Sequence, residues 1–263
     1  MVNVLDKIQP KNKTQLKRLI DYAFKHNIYD LNFIDTSKIT NMSNLFMNCE
    51  YDIDVSNWDV SNVTTTFCMF VGCKKFNSDL SNWDVSNVTN TACMFLHCKK
   101  FNCDLSNWDM SNVIDTSLMF SDCAKFTGKG LENWNVSKVK NMYAMFGDCT
   151  NFNCDLSNWD VSNVTNMYSL FTRCNKFAGK GLENWDVSNV TIMSNMFNKC
   201  DNFNCDLSKW NVSNVESMSY MFNRCYKFEG QGLENWDVSN LKRWENMFNE
   251  CTKLTCDLSS WQY

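Results

Sequence analysis

Proline is almost missing from this chain: one residue, Pro10, in 263. Glycine is scarce too, at eight residues, so few segments can act as flexible linkers. No run approaches the ~18 apolar residues of a membrane span. The opening stretch MVNVLDKIQPKNK has no basic-then-apolar leader. These absences set the expectation of a protein that is not exported and stays cytoplasmic, with a cell-surface or virion placement as the alternative. An excess of basic residues is lacking as well. Twenty-five Lys and Arg stand against 29 Asp and Glu, for a net charge of −4. That balance lacks the basic footprint of a nucleic-acid binder. There are only two histidines, His26 and His97, and neither sits in a motif with a nucleophile. No catalytic residue, cofactor or metal site is expected. An enzyme with an unrecognised site is kept as an alternative class.

What the chain does have is repetition. Nine tryptophans, from Trp58 to Trp261, follow one another at steps of 25, 25, 26, 25, 26, 25, 26 and 25 residues. Ile34 fills the same slot one unit earlier. About ten units therefore run from Asp30 to the end. A period this short fits a solenoid with one strand and one short helix per turn better than paired-helix repeats.

Within a unit the pattern has two parts. In VTNMYSLFTRC, the apolar residues Val164, Met167, Leu170, Phe171 and Cys174 share one helical face. Ser162 stands where an N-cap would. In FNCDLS, Phe152, Cys154 and Leu156 alternate with Asn153, Asp155 and Ser157, which predicts a short half-buried strand. Every second unit from Phe126 on inserts one residue and reads GKGL or GQGL, and the paired glycines predict a bulge. Residues 12–28 differ from the units. Leu16, Leu19, Ile20, Ala23 and Phe24 mark an amphipathic helix suited to covering the first coil. The expected division is a capping segment, 1–29, continuous with a repeat solenoid, 30–263. The last unit, CDLSSWQY, shows no matching cap, which leaves end-to-end contact between copies open.

Columns that recur in every unit are best explained by packing of one coil on the next. The tryptophans are expected to form a buried ladder, because Ile34 can replace one. Of the fifteen cysteines, nine close the helical segment and four lie in the strand of alternate units, leaving Cys68 and Cys93 outside both columns. Strand cysteines two coils apart would stand ~10 Å from one another, beyond disulfide reach. Buried reduced thiols are the expectation. The stretch CMFLHCKKFNC gathers Cys93, His97, Cys98 and Cys103, but its spacing does not match the usual zinc-ligand pairs.

One column points outward and is acidic: Asp79, Asp104, Asp155 and Asp206 precede the strand Leu, and in the glycine units Glu132, Glu183 and Glu234 follow it. These seven residues are the candidate partner-binding surface, and the partner they imply is a basic protein. Lys75, Lys100, Lys125, Lys176 and Lys227 are expected to border them.

The motif DLSNWDVSNVTNMxxMFxxC, with the opening LKRLI and DLNFIDTSKITNMSNLF, resembles the BspA-like leucine-rich-repeat proteins. Within them it is most similar to the subgroup built from 25-residue repeats of mycoplasma lipoprotein type. The likeness runs from about Leu16 to Trp261. It implies a right-handed leucine-rich-repeat-like α/β solenoid, with short parallel strands on one side and short helices on the other. For many members it also implies a surface, adhesive or interaction role. It implies no catalytic residues.

Overall fold

The structure is a computed structural model that describes residues 7–259 and Trp261. Residues 1–6 of the expected capping segment, together with residues 260, 262 and 263, lie outside the described residues. The chain winds into coils tied to the coil before or after by long-range hydrogen bonds, with separations such as 23 residues for Thr36 to Asp59 and 29 for Trp134 to Leu105. A column of parallel bridges marks the winding, with a further bridge between Asp30 and Asp54. The column runs from Asn41 to Thr65, Asn90, Asp115, Asn141, Asn166, Ile192, Ser217 and Arg243.

Those bridges fall on the segment whose spacing predicts a helix. The expected helices on one side and strands on the other are both absent among the described residues. In Met167–Cys174, alternate N–H groups donate along the solenoid axis. Met167 reaches Ile192 O at 3.0 Å, Ser169 reaches Ser194 O at 2.9 Å, Phe171 reaches Met196 O at 2.9 Å and Arg173 reaches Asn198 O at 2.8 Å. The N–H groups between them close tight turns within the coil: Leu170 to Met167 O, Thr172 to Ser169 O and Cys174 to Phe171 O. Ser169 and Arg173 hold φ values of 55° and 57°. That places a left-handed residue third in the Met167–Leu170 and Phe171–Cys174 turns, as in a type II turn. Such a conformation costs a non-glycine residue roughly 1–3 kcal/mol and persists where the surroundings over-determine it. Here each left-handed residue also donates to the next coil. Successive turns bury the same five side chains that a helix would, which is why the apolar spacing did not separate the two.

The FNCDLS segment keeps its alternation of burial, with Phe152, Cys154 and Leu156 inside. Its backbone bonds to neighbouring coils are sparse, such as Asn153 N–H to Thr127 O at 3.3 Å and Leu156 N–H to Lys180 O at 3.2 Å, and side chains add to them. Asn102 Oδ1 accepts from Thr127 N–H at 3.0 Å and Asn204 Oδ1 from Glu229 N–H at 3.1 Å. The serine expected as an N-cap plays another part. Asp160 Oδ1 accepts the Ser162 N–H at 3.0 Å in an Asx turn, and Asn163 Nδ2 donates to Ser137 O of the previous coil at 2.8 Å.

The paired glycines make no strand bulge; they let neighbouring coils approach. Gly128 and Gly130 have φ of 87° and 91°. A Cβ on Gly128 would stand 2.7 Å from the Cβ of Cys154, and one on Gly130 would stand 2.8 Å from the carbonyl carbon of Leu105. The same relation joins Gly179 to Cys205. The strand-column cysteine of one coil thus fills the space that glycine vacates in the coil before, which accounts for the alternation of the two unit types.

The core is a set of parallel stacks. Trp108 and Trp134 lie 6.3 Å apart and within 2° of parallel, as do their neighbours along the column with small variation. Each indole N–H finds a carbonyl one coil back, as Trp159 does with Leu131 O at 2.8 Å. The tryptophans are thus a packed ladder with satisfied donors. Eight of the nine helical-column cysteines behave similarly, Cys49 instead facing Tyr51 O at 4.0 Å. From Cys73 to Cys251 each thiol donates to the carbonyl of the preceding coil's Phe, for example Cys174 to Phe146 O at 3.0 Å. All fifteen cysteines are free.

One helix precedes the coils: α1, Lys13–Lys25, opened by Asn12, whose side chain accepts from the Gln15 N–H. Leu16, Ile20 and Ala23 are fully buried against the first coil, and Leu19 and Phe24 pack partly on the same core. Ahead of α1, Ile8 makes a parallel bridge with Ile34.

Candidate functional site

The acidic column lies on the irregular FNCDLS side, not on a strand face. Each of its aspartates closes a turn on itself. Asp79, Asp104, Asp155 and Asp206 accept the N–H of the serine two residues on, at 2.9–3.0 Å. In the glycine units the glutamate reaches back instead. Glu132, Glu183 and Glu234 accept the N–H of Gly130, Gly181 and Gly232 at 2.9–3.1 Å. Both arrangements do the same local work, which is to satisfy one backbone donor at a bend.

The second carboxylate oxygen of three aspartates is taken by the next coil. Asp104 pairs with Lys129 at 2.9 Å and Asp155 with Lys180 at 2.8 Å, while Asp206 accepts from the Gln231 amide at 2.9 Å. The lysine hydrogen bond first, and the serine N–H after it, lower Asp104 and Asp155 to about 2. Asp79 is lowered chiefly by the Ser81 N–H, against a small opposing push from the charge of Asp104 one coil away. These three carboxylates therefore stay ionised throughout the neutral range. Seven acids share the strip with two paired lysines, so it remains net acidic.

Among the described residues the lysines that pair with the strip are Lys129 and Lys180, which are not among the five expected to border it. The signal was present in the spacing: each lies 25 residues, one full coil, after the aspartate it contacts. A shallow cleft opens on this side, lined in part by Gly179, Lys180, Glu183, Asn204, Asp206 and Lys209.

The stretch from Cys93 to Cys103 does not converge. His97 Nδ1 lies 3.0 Å from Asp122 on the surface, and Lys99 joins the same carboxylate at 3.3 Å. Cys98 is buried and donates to Phe70 O at 3.0 Å. Cys103 faces Asp79 at 3.6 Å and Asp104 O at 3.4 Å. Among the described residues no group of three or more His, Cys, Asp or Glu side chains is placed to hold a metal ion. Among them, too, no helix is long and apolar enough to cross a membrane.

The sequence model of a family described as "Mycoplasma protein of unknown function, DUF285" matches residues 14–130, 104–180 and 170–263. No curated protein matches the chain. Among solved structures it is similar to one described as "Crystal structure of TLR13-ssRNA13 complex", at 12% identity and a TM-score of 0.31. The match covers 94% of this chain and spans 41% of that one. A likeness at that score carries no argument about fold or ligand.

Proposed function

The chain belongs to the DUF285 family of proteins of unknown function, and from that premise we propose that it is a non-enzymatic repeat scaffold whose acidic strip docks a basic protein partner. One observation carries the reading. The side chains that recur along the coils as Trp, Cys and Asn spend their polar atoms on the neighbouring coil. The seven acids also serve the coils, each holding a backbone N–H and three reaching the next coil, yet they share one face where carboxylates outnumber the lysines paired with them. A finer kinship with the BspA-like leucine-rich-repeat group, and its right-handed coil, rests on the repeated motif alone. The surface or adhesive role of that group is the second reading, with the same strip as the contact.

The test uses the full chain and a lysine-rich peptide, titrated at low and high salt. Binding should weaken as salt rises, because exposed charges are screened beyond about 10 Å at 0.1 M ionic strength. The triple variant Asp104→Asn, Glu132→Gln, Asp155→Asn should bind several-fold more weakly. Each amide keeps an oxygen for the Ser106, Gly130 or Ser157 N–H, so the turns survive while the charge goes. Equal binding by a variant with unchanged circular dichroism would remove the strip as a docking site.

A further inference from the structure

Thirteen of the cysteines belong to one of the two repeat columns, and their thiols are buried or engaged within the coil stack. From Cys73 to Cys251 the helical column donates to Phe carbonyls, Cys49 faces Tyr51 O, and Cys103, Cys154 and Cys205 donate to the carbonyl of the aspartate that follows each. Cys68 and Cys93 belong to neither column, and neither thiol donates to a backbone carbonyl. They occupy the same position in successive coils, both left-handed, with φ of 55° and 57°. Backbone bonds hold them in register: Cys68 N–H to Ala92 O at 3.0 Å and Phe70 N–H to Met94 O at 2.9 Å. Adjacent parallel segments lie ~4.8 Å apart, inside the ~4.4–6.8 Å Cα separation that a disulfide spans. The two side chains lie close enough for each to perturb the ionisation of the other. Cys93 is half-buried and Cys68 is just covered. The flanking residues of this column, Asn44 and Leu118, offer no third thiol.

We propose that Cys68 and Cys93 form a specific dithiol site that a small hydroperoxide converts into an intramolecular disulfide stapling the second repeat coil to the third. The more accessible Cys93 sulfur attacks one peroxide oxygen, the O–O bond breaks, and hydroxide leaves to become water. Cys93 is then a sulfenic acid. The Cys68 sulfur attacks it, gives up its proton and expels a second water as the S–S bond forms. Two thiols lose two electrons, and one hydroperoxide, taken as hydrogen peroxide, is reduced to two waters. Burial raises both thiols, Cys93 to about 12 with the partner thiol adding to it. Little thiolate is present at neutral pH, so oxidation is slow and the reduced pair is the resting state.

The experiment treats the native full chain with hydrogen peroxide, blocks remaining thiols after unfolding, and maps linked peptides by mass spectrometry. The expected product joins Cys68 to Cys93 and leaves the other thirteen cysteines free. In Cys68→Ser the same treatment should stop Cys93 at the sulfenic acid, trapped by dimedone, whereas the wild-type chain gives no adduct there. Oxidation of other cysteines ahead of this pair overturns the proposal. So does a dimedone adduct on Cys93 in the wild-type chain with no link formed. Because Cys68→Ser and wild type are compared on the same residue, a folding defect in the variant would show as adducts across all the columns and would be recognised as such.

Discussion

Replacing Cys174 separates two accounts of the thiol column. If the thiol is only a small apolar filler, serine should be the worse substitute, because it brings a hydroxyl into the core. The structure assigns the thiol a donor role, with Sγ 3.0 Å from Phe146 O and no solvent exposure. Alanine would lose that bond, about 0.5–1.5 kcal/mol net. It would also lose roughly one methylene's worth of burial, ~0.8 kcal/mol, with a further cavity cost. The sum for Cys174→Ala is about 2–3 kcal/mol. Cys174→Ser keeps a donor aimed at the same carbonyl and should cost about 1 kcal/mol less than alanine. For a chain of this size that difference is worth ~2–4 °C in melting temperature. Solenoid unfolding is governed by nearest-neighbour coil contacts, so both variants should be compared at one central coil by urea titration and by thermal melting. Serine melting below alanine would refute the donor assignment and return the column to simple packing.

Gly130→Ala should destabilise by more than ~2 kcal/mol, since its φ of 91° and the approach of Leu105 leave no place for a Cβ; Gly147→Ala, with nothing closer than 3.5 Å, should be near neutral or slightly stabilising, and equal melting of the two would contradict the close-approach account. Asp104 and Asp155 are lowered in the folded chain from 3.8 to about 2, so the unfolded chain takes up protons first as pH falls. Their contribution is complete above about pH 4 and is lost on the way down to about pH 2. The double variant Asp104→Asn, Asp155→Asn should therefore show a shallower loss of melting temperature over that range, and parallel acid profiles would count against the ion pairs. Ile20→Ala on α1 should cost ~2–5 kcal/mol at a fully buried site and expose the first coil, read as a lower melting temperature and increased light scattering. An unchanged melt would mean that α1 does not cover the core.

Much of the scaffold was legible in the repeat itself. The Trp and Phe columns, the identity of the buried residues and the apolar face of α1 all followed from spacing. The backbone of each unit did not. Val164, Met167, Leu170, Phe171 and Cys174 are buried as a helix would bury them. Yet the hydrogen-bonding partner of Ser169 is 25 residues away, and a local periodicity carries no information about a partner one coil on. The strand prediction failed for a related reason. Phe152, Cys154 and Leu156 do alternate inward, but the coil-to-coil backbone bonds here are too sparse for a ladder, and the side chains of Asn102 and Asn204 share the work with them. For the site, the acids were visible as a column, and their pairing with Lys129 and Lys180 was encoded in a spacing of one repeat. The glutamates' work at Gly130, Gly181 and Gly232 was hidden, because it depends on left-handed glycines whose role only the approach of the neighbouring coil reveals.

The central claim is that recurring columns hold the coils while the acidic strip meets a partner. Residue-resolved hydrogen exchange on the full chain, with and without a lysine-rich peptide, tests both halves at once. Met167, Ser169, Phe171 and Arg173, whose N–H groups donate to the next coil, should be strongly protected in either condition. Ser106, Gly130, Ser157 and Gly181, whose N–H groups are held by the strip carboxylates, should slow further only when the peptide is added. Added protection confined to the Met167–Cys174 side, with the strip amides unchanged, would contradict the account.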